Sequence, residues 1–360
     1  MDRLQNNGSV EGANPRRGRC LGASSVVGVP FLVLSVCVFG GTSVSGQIFR
    51  PGVDQGPTKV RTGVFLLDVD EVDNVNQSFD ANLFIICRWH DPSLAHAEGG
   101  EISYPLKEVW HPRIQIVNQQ KIWLTFPDLV EVAPDGEVTY RQRGWGSFSQ
   151  PLNLRDFPFD TQRFTITLAA AGHSPEEVQL LPDPEFKSGI GENLSLPDWT
   201  VVSFSAKTTD YNPRGSLDGP VVAGFAISFE AERHQGYYWV KVIVPLTLVV
   251  AMSFIVFWID PKESGTQIGV SVTTMLTLIA YRFAAGMTLP KVSYLTCLDH
   301  FILVSTILVF SALVEVVATS ALTRRGKLPL ARLIDRRARW AFPLVFIVAS
   351  LESLVFRVWS

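Results

Sequence analysis

The stretch that most restricts this chain is Gln267 to Thr288, QIGVSVTTMLTLIAYRFAAGMT. At about twenty residues of helix it can cross a bilayer. Yet it carries Gln267, Ser271, Thr273, Thr274, Thr277, Tyr281 and Arg282 among its apolar residues. Such a helix is a poor neighbour for lipid. Two long apolar segments flank it and a third closes the chain, so helices rather than lipid are expected around it. A polar spanning helix in a bundle contacts other helices, lines water, or does both. Polarity alone leaves hydroxyls bonded across a packed bundle and hydroxyls facing water equally open.

The 360 residues carry a net charge of −3, without the basic face of a nucleic-acid binder. Apolar residues crowd the start and the part after Tyr237, which separates a soluble part from a membrane part. Near the start, Arg16, Arg17 and Arg19 precede the apolar Val26 to Phe39, and Val44 and Gly46 suit cleavage before Gln47. Residues 1–46 therefore read as a signal peptide with a disordered lead. A retained membrane helix is the alternative, and its uninterrupted apolar core is short for that. Of four cysteines, Cys20 and Cys37 leave with the signal, Cys87 lies in a strand-like run and Cys297 follows the polar span. That pattern gives neither a disulfide framework nor a metal site.

From Thr62 to Glu232 the pattern is strands. VFLLDVDEV, ANLFIICRW, EVTYRQRGW, RFTITLAAA and VAGFAISFEAE are rich in β-branched and aromatic residues. Turn signals at Asp135-Gly136, Asn212-Pro213 and Asp218-Gly219-Pro220 separate several of them. The expectation is an exported β-sandwich over residues 47–236. The membrane domain, 237–360, then holds four spans, about 237–258, 267–288, 294–322 and 340–359. Tyr237, Tyr238, Trp239 and Trp258 suit headgroup level at the two ends of the first. Pro245 within it would kink a helix or free a carbonyl. The basic connection Thr323 to Arg339 belongs in the cytoplasm, which puts the C-terminus on the side of the sandwich. Glu315 and Glu352 are intramembrane carboxylates, each with a structural and a functional reading.

Enzyme chemistry has little support. The chain has no Gly-rich phosphate loop and no Gly-x-Ser-x-Gly, and its six histidines lack metal-ligand spacing. No cofactor is expected.

Four motifs carry a resemblance. Leu154-Arg155-Asp156-Phe157-Pro158-Phe159-Asp160-Thr161-Gln162 resembles the central loop of the pentameric ligand-gated ion channels, the Cys-loop receptors. Trp110-His111-Pro112-Arg113-Ile114 and Trp89-His90-Asp91 resemble two further signatures of their extracellular domain. Thr288-Leu289-Pro290-Lys291-Val292-Ser293-Tyr294 resembles the link between their second and third membrane helices. The loop cysteines of animal members are missing, as in the prokaryotic channels. The resemblance implies an extracellular (periplasmic) β-sandwich, a four-helix transmembrane bundle and a homopentamer around a central pore, in the cell (inner) membrane among its lipids. By analogy Gly269, Thr273, Leu276, Ala280, Phe283 and Met287 line that pore. Spacing does not select them, because the stripe through Ser271, Thr274, Leu278 and Tyr281 is equally regular.

The resemblance further implies a gating junction of Asp73, Asp160, Arg233, Pro290 and Lys291. An agonist site between subunits would use Phe84 on one face, and Trp123 and Tyr211 in loops of the other. His173 stands near Ala171, where animal receptors often place an aromatic, and Arg141 and Arg143 stand near the complementary side. A small amine is the favoured agonist, with an anionic or zwitterionic ligand as the alternative. In a proton-gated relative a hairpin carboxylate and a pore-helix histidine matter. Gln77 and Leu278 occupy those places here and do not titrate. At the cytoplasmic mouth Asp260 and Glu263 favour permeant cations while Lys262 opposes them. A membrane-anchored solute sensor without conductance, an anion-selective channel of the same fold and a transporter are the competing readings.

Overall fold

The computed structural model describes residues 49–214, 219–286 and 292–354. The expected signal peptide lies outside the described residues, as do Met287, Pro290 and Lys291.

Twelve strands are described between Thr58 and Arg233, in two sheets. They are β1 (Thr58–Asp73), β2 (Ser78–His90), β3 (Ile102–Pro105), β4 (Ile114–Ile116), β5 (Gln119–Leu124) and β6 (Leu129–Val132), followed by β7 (Glu137–Ser149), β8 (Thr161–Ala170), β9 (Val178–Pro182), β10 (Gly189–Ile190), β11 (Trp199–Tyr211) and β12 (Val222–Arg233). The larger sheet runs β10-β1-β2-β7-β6-β3, with β5 on β7 and β9 on β1. The smaller runs β11-β12-β8-β4. Alternation along β2 sends Leu83, Ile85, Cys87 and Trp89 inward and leaves Asn82, Phe84 and Arg88 outward. The sheets lock through aromatic rings. Phe79 of the first lies 5.5 Å from Phe148 beside it, and 5.2 and 5.9 Å from Phe164 and Phe229 of the second. Burial pushes the Cys87 thiol up to about 12, so it behaves as a small apolar core residue. This is the expected β-sandwich.

Helices follow: α1 (Gly236–Trp258), α2 (Ser264–Gly286), α3 (Cys297–Arg324) and α4 (Leu328–Leu354). By length and composition the first three can cross a membrane. The fourth differs from expectation. Its helix begins at Leu328, so Arg332, Arg336, Arg337 and Arg339 sit on helix, and the connection shrinks to Arg325, Gly326 and Lys327. The physical reason is plain. Pro329 is tolerated in the first turn, and LARLIDRRARW contains strong helix formers with no glycine to stop them.

Pro245 is accommodated rather than kinking the span. A single wide turn, Trp239–Ile243, precedes it, and regular helix resumes at Val244 with the proline in its first turn. Two carbonyls of that turn find side chains. The Tyr281 hydroxyl donates to Val242 O at 2.7 Å, and the Thr247 hydroxyl to Ile243 O at 2.8 Å. Tyr281 thus ties α2 to α1. Tyr281→Phe should lower the stability of the solubilised protein by about 1 kcal/mol, the net worth of one such bond. Thermal unfolding would read this, and an unchanged midpoint would show the bond to be dispensable.

Candidate functional site

The middle of the molecule is a buried ion pair. Arg233 ends β12, the last strand before the membrane, and Asp160 closes the loop after Leu154. Arg233 donates Nε to Asp160 Oδ1 at 2.8 Å and Nη2 to Oδ2 at 3.1 Å. Both residues are buried. The guanidinium lies 4.0 Å from the Trp199 ring centre and 4.8 Å from that of Phe157. Gln162 Nε2 donates a further bond to Asp160 at 2.6 Å. A planar fork matched to a carboxylate, stacked on aromatic faces, is what an arginine can do and a lysine cannot.

The β1–β2 turn, read from sequence as the loop at Asp73-Asn74, joins this pair through the second of those residues. Asn74, not Asp73, accepts from Arg233 Nη2, at 3.1 Å. Asp73 is spent on its own turn, accepting from the amides of Val75 and Asn76 and from the Asn76 side chain. Those donors, the Asn76 amide foremost, hold its carboxyl below the usual range. Gln77 is bound in as well. Its backbone is left-handed at φ 54°, its Oε1 accepts from Leu152 N at 2.6 Å, and its Nε2 donates to Asn74 O at 2.8 Å.

Beneath the loop sits the start of α3. Thr296 and Asp299 cap it reciprocally. The next two amides, Cys297 and Leu298, donate to the loop carbonyls of Arg155 (2.9 Å) and Phe157 (3.2 Å). Leu154 N donates to the Tyr294 hydroxyl at 2.9 Å. Phe157 and Phe159 lie against Tyr238 and Trp239 of α1, with ring centres 4.9 and 6.1 Å apart. Sequence reasoning missed Tyr294 and the two carbonyls. Tyr294 stood inside a quoted motif; the carbonyls carry no side-chain signal.

The sequence-predicted agonist residues divide into two groups. On the outward face of the larger sheet, Phe84 pairs with Arg143, Asn82 with Trp145, and Trp145 with Trp123. Trp123 therefore does not sit in a loop of Tyr211's face, as expected. It lies in β5 and stacks on Trp145 at 4.8 Å. Gly146 permits this, because a methyl there would collide with the Lys121 carbonyl. Phe84 contacts Phe126 and Phe186, and Arg141 pairs with Glu131. Tyr211 ends β11 of the smaller sheet, and His173 lies in the loop after β8, where its carbonyl accepts from Ala223 N beside the Tyr211–Val222 pair. The His173 ring lies 5.8 Å from Trp110, which the quoted motif contained but the site prediction omitted. A recess of about 400 Å³ opens there, lined in part by Lys107, Trp110, His111, Arg113 and His173. Burial, then the charges of Arg113 and His173, hold His111 below the usual histidine range.

In the membrane, α2 resolves the two equal stripes. Gln267, Ser271, Thr274 and Leu278 are buried against the bundle, with Tyr281 partly so. Gly269, Thr273, Leu276, Ala280 and Phe283 all face away from it, with Leu276 at 62% and Phe283 at 76% exposure. At the turn before α2, Asp260 accepts from Lys262 N and pairs with Arg332 at 2.8 Å. Those two groups, in that order, hold its carboxyl below the usual range. Glu263 is exposed.

Because the folded state lowers the Asp73 carboxyl, its contribution is present above the ordinary aspartate range and is lost as pH falls through it. Asp73→Asn should therefore mimic acid at neutral pH. Hydrogen-exchange protection at Val75 and Asn76 should drop while that of the β2 core stays; equal protection in the variant would refute this.

The neurotransmitter-gated ion-channel ligand binding domain family matches residues 47–230, more than half of the chain. The neurotransmitter-gated ion-channel transmembrane region family matches residues 242–329. A proton-gated ion channel of Gloeobacter violaceus is 28% identical over 335 residues, which cover 92% of this chain and 91% of that protein. Two consecutive matches in the family's order, over a β-sandwich followed by a helical bundle, leave one conclusion: the chain belongs to the neurotransmitter-gated ion channels and is a membrane-spanning ligand-gated channel, not an enzyme.

Proposed function

We propose that five copies surround a pore walled by α2, which opens when a small molecule binds between neighbouring sandwiches, and that the pore passes cations. The observation that carries this is the outward face of α2. A lone subunit leaves Leu276 and Phe283 exposed beside Gly269, Thr273 and Ala280. Five copies turn Thr273 into a ring of hydroxyls that bind water and a passing ion. Its hydroxyl proton is given to Gly269 O at 2.8 Å, so its oxygen lone pairs remain for the lumen. Rings of Leu276 and Phe283 form apolar constrictions, which gate by dewetting. Met287 continues the stripe.

Cation preference is assigned to Glu263. Asp260 contributes less than expected from sequence, since Arg332 offsets its charge. Agonist binding is assigned to the surfaces carrying Phe84, Trp123 and Arg143 on one subunit and His173 and Tyr211 on the next. An amine remains the proposed functional group. The basic lining beside His173 favours one that also bears a carboxylate, a zwitterion. Binding energy then reaches the pore through Asp160, Arg233 and the α3 N-terminus. A proton as co-agonist is the second reading, favoured by the identity to a channel named for proton gating.

Cysteine substitution tests the pore. With the channel reconstituted, Thr273→Cys and Leu276→Cys should be blocked by a charged thiol reagent, and Ser271→Cys and Leu278→Cys should not. The reverse pattern would remove α2's outward stripe from the lumen. Reversal potentials in a salt gradient should follow the cation, and Glu263→Gln should weaken that preference. At the junction, removing one partner strands a buried charge, at a cost of roughly 3–5 kcal/mol. Charge reversal at Asp160 and at Arg233, singly and together, should give strongly non-additive losses of gating; additive losses would show that the pair does not act as a unit.

A further inference from the structure

Behind α2, near its cytoplasmic end, three helices bring together acceptor oxygens without donors. Glu315 of α3 has both carboxyl oxygens buried and unpartnered. Asp335 of α4 is buried, with Oδ1 unpartnered. Gln267 of α2 is wholly buried, and its Oε1 has no donor either. The Gln267 amide is aimed into the site. It donates from Nε2 to Asp335 Oδ2 at 3.2 Å and to Ile259 O, at the end of α1, at 3.0 Å. The two carboxyl groups are near enough to act on each other's ionisation.

Of the cations nearby, only the charge of Arg339 of α4 bears on the site: it acts on Asp335, while its Nε is given to Phe257 O at 2.7 Å and its guanidinium lies over the Trp258 ring at 5.0 Å. Arg332 of α4 pairs with Asp260, whose own negative charge also faces Asp335. Lys262, in the same turn, is exposed. Gln267 supplies a dipole and no charge. Two ionised carboxylates so close in such a place repel each other, and buried oxygens left without donors are costly. One hydrogen placed between them removes the repulsion and supplies a donor to one of those oxygens, as it does for paired carboxyls sharing a site.

We propose that Glu315 and Asp335 share one proton, and that this acid–carboxylate pair is a proton-binding site joining α3 and α4 to the cytoplasmic end of α2 through Gln267. Glu315 donates to Asp335, and Asp335 accepts from Gln267, so one chain of hydrogen bonds crosses three helices. Loss of the proton sets like charges face to face, drives α4 from α3 and frees the base of α2. A proton held by the folded bundle and not by the unfolded chain gives stability that is greatest at low pH and falls as pH rises. The site itself does not depend on α2 lining a pore; only its influence on current rests on that reading.

The test uses the full-length protein in lipid. Infrared difference spectra of the wild type should show a buried protonated carboxylic acid band that vanishes as pH is raised. Glu315→Gln should abolish the band. Its amide donates to Asp335 at every pH, so this variant should keep the neutral-pH unfolding midpoint and flatten its decline with rising pH. Asp335→Asn should also lose the pH slope. A wild type without the band, or a Glu315→Gln variant with the wild-type slope, would overturn the proposal; the wild-type spectrum decides the matter even if both variants fold poorly. If the band is present but cysteines along α2 are never blocked, the proton site stands and the pore assignment falls. If α2 is blocked and the band is absent, the reverse holds.

Discussion

The clasp between Arg233 and Asp160 is the constraint on which the rest of the molecule depends. It joins the last strand of the sandwich to the loop that rests on the membrane helices, and it is buried on both sides. A buried pair of this kind adds little net stability over apolar packing, but it tolerates almost no displacement of one partner. Its value lies in geometry. Two hydrogen bonds and two aromatic faces fix the guanidinium, and the fixed guanidinium fixes Asn74. Three parts of the sandwich therefore move together at this point or do not move.

Below the clasp, connection passes to the backbone. The first amides of α3 would be unsatisfied at a helix start, and the carbonyls of Arg155 and Phe157 accept from two of them. A displacement of the loop reaches α3 through these bonds. It reaches α1 through Phe157 and Phe159 against Tyr238 and Trp239. Tyr281 then carries the connection from α1 to α2. Each link is a contact of specific atoms, so a mutational cycle can be aimed at any one of them.

The sequence made the two-part architecture legible because its two signals are long. Period-two alternation repeats along β1, β2, β7, β8 and β12, and the spans are apolar for many turns. Asp160 and Arg233 were legible through their motif context. Other features depended on what packs where. Two stripes on α2 have the same spacing, and only the positions of α1 and α3 decide which is covered. Trp123 was placed by resemblance alone, and only the pairing of its strand with β7 puts it on the larger sheet. The basic start of α4 looked like a connection because charge outweighed the helical propensity of the same residues.

The wide turn before Pro245 has one more consequence. It holds an extra residue inside an otherwise continuous helix, at the point where Tyr281 grips α1. Such a turn is slack in the rope: by migrating or tightening, it lets the upper part of α1 rotate with the sandwich while the lower part keeps its packing. Twist delivered from outside can then be spent at one level of the membrane rather than transmitted along the whole rod.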